Sequence, residues 1–129
     1  MENEIDGLED LEKWGADPQE AISRVLGDIP LYIQLVQEYG ENNEIDLLRF
    51  EIEQTDYSSA FRIAHSMKGA SVSLSLTPLT EALSDLVEAL RPWYENRPET
   101  DPESKKERML YYMQQVDLRW NEYCSLVLA

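Results

Sequence analysis

The sequence predicts an all-α domain: an antiparallel four-helix bundle with additional short N-terminal helices. Three observations carry that expectation. Apolar residues recur at three- and four-residue intervals through nearly every segment, the period of a helix with one buried face. The few glycines and prolines stand mostly at the joints between those segments, where helix-start and helix-stop signals also gather. No stretch alternates with period two, so no sheet is expected.

In chain order, Asp17-Pro18-Gln19-Glu20 reads as a helix start, with Asp17 as N-cap, Pro18 in the first turn and Glu20 three residues after the cap. That helix is expected to run to about Leu26 and stop at Gly27. A second starts near Asp28-Ile29-Pro30 and reaches about Tyr39, with Leu31, Leu35, Val36 and Tyr39 on one face and Gly40 as its stop. A third covers roughly residues 44–54, with Ile45, Leu48 and Ile52 inward. A fourth opens at Asp56 and continues to about Ser75. Thr77-Pro78 supplies cap and first-turn proline for a fifth, ending near residues 90–92. Residues 92–100, with two prolines, read as a loop. Thr100-Asp101-Pro102-Glu103 has capping-box spacing and starts a sixth helix that extends to about Val127. Two short and four longer helices with mostly short connections imply an antiparallel bundle of the second, fourth, fifth and sixth, with the third packed beside them. Residues 17–129 would form this bundle domain. Residues 1–16 carry Leu8, Leu11 and Trp14 at helical spacing, and are expected either to pack on the bundle or to serve as a flexible docking arm.

Composition narrows the function. With 129 residues the chain is about one domain, able to bury one core. Its 26 acidic residues outnumber 11 Lys and Arg, for a net charge of -15. So negative a surface argues against nucleic acid, whose phosphates are bound by clustered cations, and against anionic membranes. It suits a partner with a basic docking face, although acidity can also serve only solubility. A single cysteine, Cys124, allows neither an internal disulfide nor a cysteine metal cluster. No apolar run approaches the roughly 20 residues that span a bilayer. The opening Met1-Glu2-Asn3-Glu4 is acidic where a signal peptide would be basic, so a complete, soluble, cytoplasmic chain is expected.

The candidate chemistry lies in the fourth helical segment around His65. At about 100° per residue, Tyr57, Ala60, Ala64, Met67, Ser71 and Leu74 share the core stripe. His65 sits well round the cylinder from it, on the side that carries Ser58, Phe61, Arg62, Lys68, Gly69 and Val72. Two large apolar groups, cations, a glycine and an imidazole make an odd solvated face. Each has a use if His65 takes a phosphoryl group. A neutral imidazole is a good nucleophile near neutral pH. Lys68, three residues on, can offset phosphoryl charge. Gly69, four residues on, leaves room above the ring, despite a helix-propensity cost of about 1 kcal/mol. Phe61 and Val72 are expected to form an apolar docking surface, with Arg62 and Ser58 beside them. Taken singly, each feature is ordinary: a lone helical histidine is most often a surface or core-edge residue.

At these residues the chain resembles the histidine-containing phosphotransfer (Hpt) domain family, whose motif is roughly His-x-Leu-Lys-Gly, often preceded by Ala and followed by Leu-Gly. Here it reads Ala64-His65-Ser66-Met67-Lys68-Gly69-Ala70, then Leu74-Ser75. Met67 stands for the common Leu, and Ser75 for the common Gly, which bears on the local helix path. Upstream, Gly27-Asp28-Ile29-Pro30-Leu31-Tyr32 is similar to the family's Gly-Asp-x-x-Leu-Tyr stretch. Downstream, Leu76, Thr77, Leu79, Ala82 and Leu86 fit its next helix. The resemblance thus covers roughly residues 17–90. It implies a four-helix bundle with His65 exposed at mid-helix as phosphoacceptor, Lys68 as charge partner and Gly69 as clearance residue. It implies a two-component phosphorelay intermediate, without an ATP-binding kinase domain of its own. The partner would be the receiver domain of a response regulator, a hybrid sensor kinase, or both. No cofactor and no metal site is expected in this chain; the Mg2+ used in transfer would sit in the receiver's acidic pocket. A monomer is expected.

Other readings are weaker. A sensor-kinase dimerisation domain usually has an acidic residue after its histidine, and Ser66 stands there. An isolated phosphorylated domain of a chemotaxis kinase would share fold and motif. An inert helical adaptor that docks without chemistry is the alternative from another class, and the intact His-x-x-Lys-Gly disfavours it. A hydrolase based on paired histidines is excluded by the single histidine.

Overall fold

The computed structural model describes residues 2–97 and 102–128, with side chains for residues 7–97 and 105–128. Among these the chain is all helix: α1 (Glu2–Trp14), α2 (Pro18–Arg24), α3 (Ile29–Glu41), α4 (Glu44–Glu53), α5 (Tyr57–Ser73), α6 (Thr77–Tyr94) and α7 (Pro102–Val127). The capping box proposed at Thr100 lies outside the described residues.

Three helix starts rest on aspartates, at the places where the sequence predicts the helices to begin. Asp17, Asp28 and Asp56 each accept a hydrogen bond from the backbone N–H three residues on, at Glu20 (3.1 Å), Leu31 (3.0 Å) and Ser59 (3.1 Å). The Ser59 backbone N–H, joined by the Ser59 hydroxyl, holds the Asp56 carboxyl below the usual carboxylate range. The start of α6 differs from expectation. Leu76 takes the cap position without a side-chain bond, and Thr77 is already helical.

The helix ends show what the sequence hid. Leu26, Thr55, Ser75 and Asn96 all have φ near +57°, each just past a helix. The N–H of the next residue bonds back across the last turn: Gly27 to Ile22, Asp56 to Glu51, Leu76 to Ser71 and Arg97 to Pro92. This is the left-handed cap that normally favours glycine. At Ser75, where the family commonly has Gly, the strain is offset: its hydroxyl bonds Glu20 (3.2 Å) and Arg24 (2.9 Å). Thr55 is exposed and β-branched, with no such compensation. Thr55→Gly is therefore expected to stabilise the fold by about 1 kcal/mol, read as a higher urea midpoint with unchanged slope; an unchanged midpoint would refute that cost.

Gly40 does not end α3, contrary to the sequence reading. It lies inside the helix, and a Cβ there would come within 3.2 Å of Val127 Cγ2. Its role is close packing on the end of α7. The core face of α3 is also rotated from expectation: Tyr32, Val36 and Tyr39 are buried, Leu35 is half-buried and Leu31 is exposed.

α5 and α6 pack side by side as a hairpin, and α6 packs on α7. α4 packs on α5, and α3 and α4 both lie against α7. The tyrosines of α3 and α7 bind the layers. Tyr32 donates its hydroxyl to the Leu74 carbonyl (3.0 Å), Tyr39 to that of Met67 (2.8 Å) and Tyr123 to that of Val36. Burial pushes all three phenols above their ordinary range. Each buried hydroxyl thus has its acceptor, as burial in an apolar core requires. Ile45, Leu48 and Ile52 of α4 point inward as expected.

Residues 2–14 form the helix α1. α1 lies on α7, with Leu8 and Leu11 buried and the Trp14 indole donating to Glu122 (2.9 Å). Residues 92–94, expected in a loop, continue α6 through Pro92. The continuation is held by packing: Trp93 meets Tyr57 edge-on at 5.0 Å, and Tyr94 stacks on Phe61 at 4.3 Å. Tertiary contacts outweigh the lost proline N–H bond.

Candidate functional site

α5 is a 17-residue helix whose Tyr57, Ala60, Ala64, Met67 and Ser71 are buried, the stripe that its sequence periodicity predicts. This fixes its rotation about its own axis. His65, one residue past Ala64, is thereby turned to solvent near the helix midpoint.

Side chains on a helix lean toward its N-terminus. The imidazole accordingly stacks over Phe61, one turn earlier, with centroids 5.8 Å apart and planes 27° apart. The other side is open. An ideal Cβ built on Gly69 meets nothing within 4 Å. The ring is therefore backed on one side and bare on the other, where Gly69 lies. Lys68 is half-buried on that same C-terminal side.

α6 supplies a second edge. Arg91 pairs with Glu88 through two hydrogen bonds, 2.9 and 3.1 Å, and its guanidinium lies 5.2 Å from the centre of the Phe61 ring. The Glu88 carboxyl is held below its usual range, first by the Arg91 hydrogen bond, with Lys68 adding through its charge. Arg62 lies 5.8 Å from the centre of the Tyr94 ring. In a chain of net charge -15, two arginines thus lie over the Phe61 and Tyr94 rings of this seam.

At the C-terminal end of α5, Arg24 reaches across from α2. It donates to the carbonyls of Val72 (3.3 Å) and Ser73 (2.9 Å) and to the Ser75 hydroxyl. These close carbonyls that the helix end leaves free. Asp17 N–H bonds the Ser75 carbonyl at 2.9 Å. α5 is thus anchored beyond its last turn.

The residues singled out from sequence are brought to one face with two changes. Arg62, His65, Gly69 and Val72 are exposed, and Lys68 is half-buried. Phe61 is not surface: it is 5% exposed, covered by Tyr94 and Arg91, so it supports the imidazole from below and offers no docking area. Ser58 is half-buried, two turns before His65. The aromatic that does reach solvent here is Tyr94, 44% exposed. Sequence reasoning missed Tyr94, Arg91 and Glu88. Glu88 and Arg91 have the i, i+3 spacing of an ion pair, but reading Pro92 as a helix end removed Tyr94 from the surface under consideration. Among the described residues, no three or more His, Cys, Asp or Glu side chains group in a way that could hold a metal, and no helix is long and apolar enough to cross a membrane.

A backed and exposed histidine, a lysine three residues on and an unfilled glycine four residues on coincide with a family match. The Hpt domain model matches residues 30–118. The chain belongs to the Hpt domain family. No match was found among curated proteins or among solved structures. Hpt domains are helical phosphotransfer modules of phosphorelays, not kinases, and they interact with receiver domains and kinases. The match spans α3 to the middle of α7, so it includes the whole of α5 and α6 with the His65 face.

Proposed function

We propose that this Hpt domain carries a phosphoryl group on His65 and exchanges it with the aspartate of a receiver domain, on a response regulator or a hybrid sensor kinase. The observation that carries the reading is the asymmetric setting of the His65 ring: backed by Phe61 on one side, and open above Gly69 with Lys68 beside it.

In the forward step, the lone pair of the unprotonated ring nitrogen attacks phosphorus of an aspartyl phosphate. An N–P bond forms, the P–O bond to the carboxylate breaks, and the carboxylate leaves with the electron pair. The other ring nitrogen keeps its proton, so the product is a phosphoimidazolium. Return of the group reverses each bond. Lys68 meets the phosphoryl oxygens as charge accumulates near Gly69, and Arg62 and Val72 present the adjoining contact surface. The chain supplies the nucleophile, its orientation and charge compensation; Mg2+ belongs to the receiver's own pocket. The Hpt domain acts as a cytoplasmic monomer, and sedimentation at a single 15.0 kDa mass is the expected result.

The reading is tested by incubating the protein with phosphoramidate and locating the modification. One acid-labile, base-stable phosphoryl group on the peptide that contains His65 is expected. A chain that stays unmodified under conditions that phosphorylate free imidazole would favour an adaptor that docks without chemistry. Lys68→Ala should leave the thermal midpoint unchanged and slow transfer to a receiver roughly tenfold or more. Unchanged transfer kinetics would remove Lys68 from the mechanism.

A further inference from the structure

Three rings lie in near-parallel series across the α5–α6 seam. Tyr94 stacks on Phe61 with centroids 4.3 Å apart and planes at 19°, and Phe61 stacks on His65 at 5.8 Å and 27°. Arginines border the series: Arg91, tied to Glu88, lies over the Phe61 ring, and Arg62 over that of Tyr94. Only the terminal members, His65 and Tyr94, are open to solvent.

The placement is not a by-product of core packing. Tyr94 is the last residue of α6, two past Pro92, where a helix would most readily fray. Its ring nevertheless lies flat on Phe61. An aromatic pair of this geometry contributes beyond its buried area, and a cation over a ring adds to it. Phe61 is thereby held from α6 at the distance that backs the imidazole.

The geometry points to Tyr94 as a positioning residue for His65, acting through Phe61: the stack confines the imidazole to the orientation that leaves its Gly69 side open. This inference rests on the phosphotransfer reading for its consequence, but the stack itself is testable without it. Tyr94 is a positioning residue and makes no bond to the phosphoryl group.

His65 is the chain's single histidine, so its two ring C–H protons are the only imidazole resonances in an NMR spectrum. A ring stacked on them displaces those resonances from free-histidine positions. In Tyr94→Ala the displacement is expected to shrink markedly, with helix content by circular dichroism unchanged because Tyr94 is partly exposed. In Tyr94→Phe, which keeps the ring, it should be retained. His65 phosphorylation by phosphoramidate is measured on the same samples. No protein partner docks in that reaction, so a slower rate reports on the imidazole and not on an interface. Tyr94→Ala is expected to fall about tenfold, with Tyr94→Phe near wild type, since small misplacements of a reacting group are costly. Identical imidazole resonances in wild type and Tyr94→Ala would overturn the proposal. So would displaced resonances in Tyr94→Ala with an unchanged phosphoramidate rate. A wild type that takes no phosphoryl group would sink the phosphotransfer reading alone, and the resonances would still decide the stack.

Discussion

Gly69→Arg is expected to fold at least as well as the wild type and to lose phosphotransfer with a receiver domain by about a hundredfold or more. The two halves of that expectation have separate causes. Glycine inside a helix costs about 1 kcal/mol relative to alanine because it loses more backbone freedom on folding. At Gly69 nothing in the fold requires that cost. The site is solvent-exposed, an added Cβ meets no atom within 4 Å, and the backbone is ordinary helix. Gly69→Ala should therefore raise the urea midpoint, by about 0.5–1 kcal/mol of stability. The proposed phosphotransfer supplies a reason for a glycine. The space above residue 69 is where a phosphoryl group on His65, and the partner presenting its aspartate, would need to sit. An arginine there fills that volume one helical turn above the imidazole. Its positive charge would suit a phosphoryl group, so its loss of transfer would come from occupied space; Gly69→Glu should block it through both space and charge. Urea denaturation and single-turnover transfer on the same variants check both halves. A Gly69→Arg chain that transfers at the wild-type rate would remove the clearance role.

Gly40 is the contrasting case. It too lies within a helix, but a Cβ there meets Val127 at 3.2 Å and Leu128 at 3.4 Å. Packing accounts for one glycine, and only the proposed chemistry accounts for the other.

What could be read from the sequence follows from how local each determinant is. The spacing of His65, Lys68 and Gly69 along one helix needs only 3.6 residues per turn, so their common face was legible. So were the Asp17 cap and the helix starts near Asp28 and Asp56, whose bonds close over three residues. Determinants that depend on the register between helices were not legible. Phe61 shares a helical side with His65, and only the position of α6 shows that Tyr94 and Arg91 cover it. Pro92 signals a helix end by its missing N–H, yet Trp93 and Tyr94 gain partners on α5 that hold the last turn. Tyr32 carries a polar hydroxyl and looks peripheral beside Leu31. Its acceptor, the Leu74 carbonyl, is 42 residues away, and without it the ring could not be buried. Ser75 is the instructive departure from the family pattern. A glycine is common there, and φ of +56° gives the physical reason; the Arg24 and Glu20 contacts show how serine meets the same demand.

The second large effect is at the histidine. His65→Gln keeps a polar side chain of similar reach at an exposed position, so little stability should change. The amide nitrogen of glutamine has no available lone pair for attack on phosphorus, and no second histidine exists to substitute. Loss of the phosphoryl mark should therefore be complete and not partial.

The most direct measurement follows a radiolabelled phosphoryl group from a phosphorylated receiver domain to this chain, with wild type and His65→Gln side by side. The predicted result is rapid, reversible label on the wild type, labile in acid and stable in base, and none on His65→Gln. Label of equal amount on both chains, or an acid-stable label on either, would contradict His65 as the carrier.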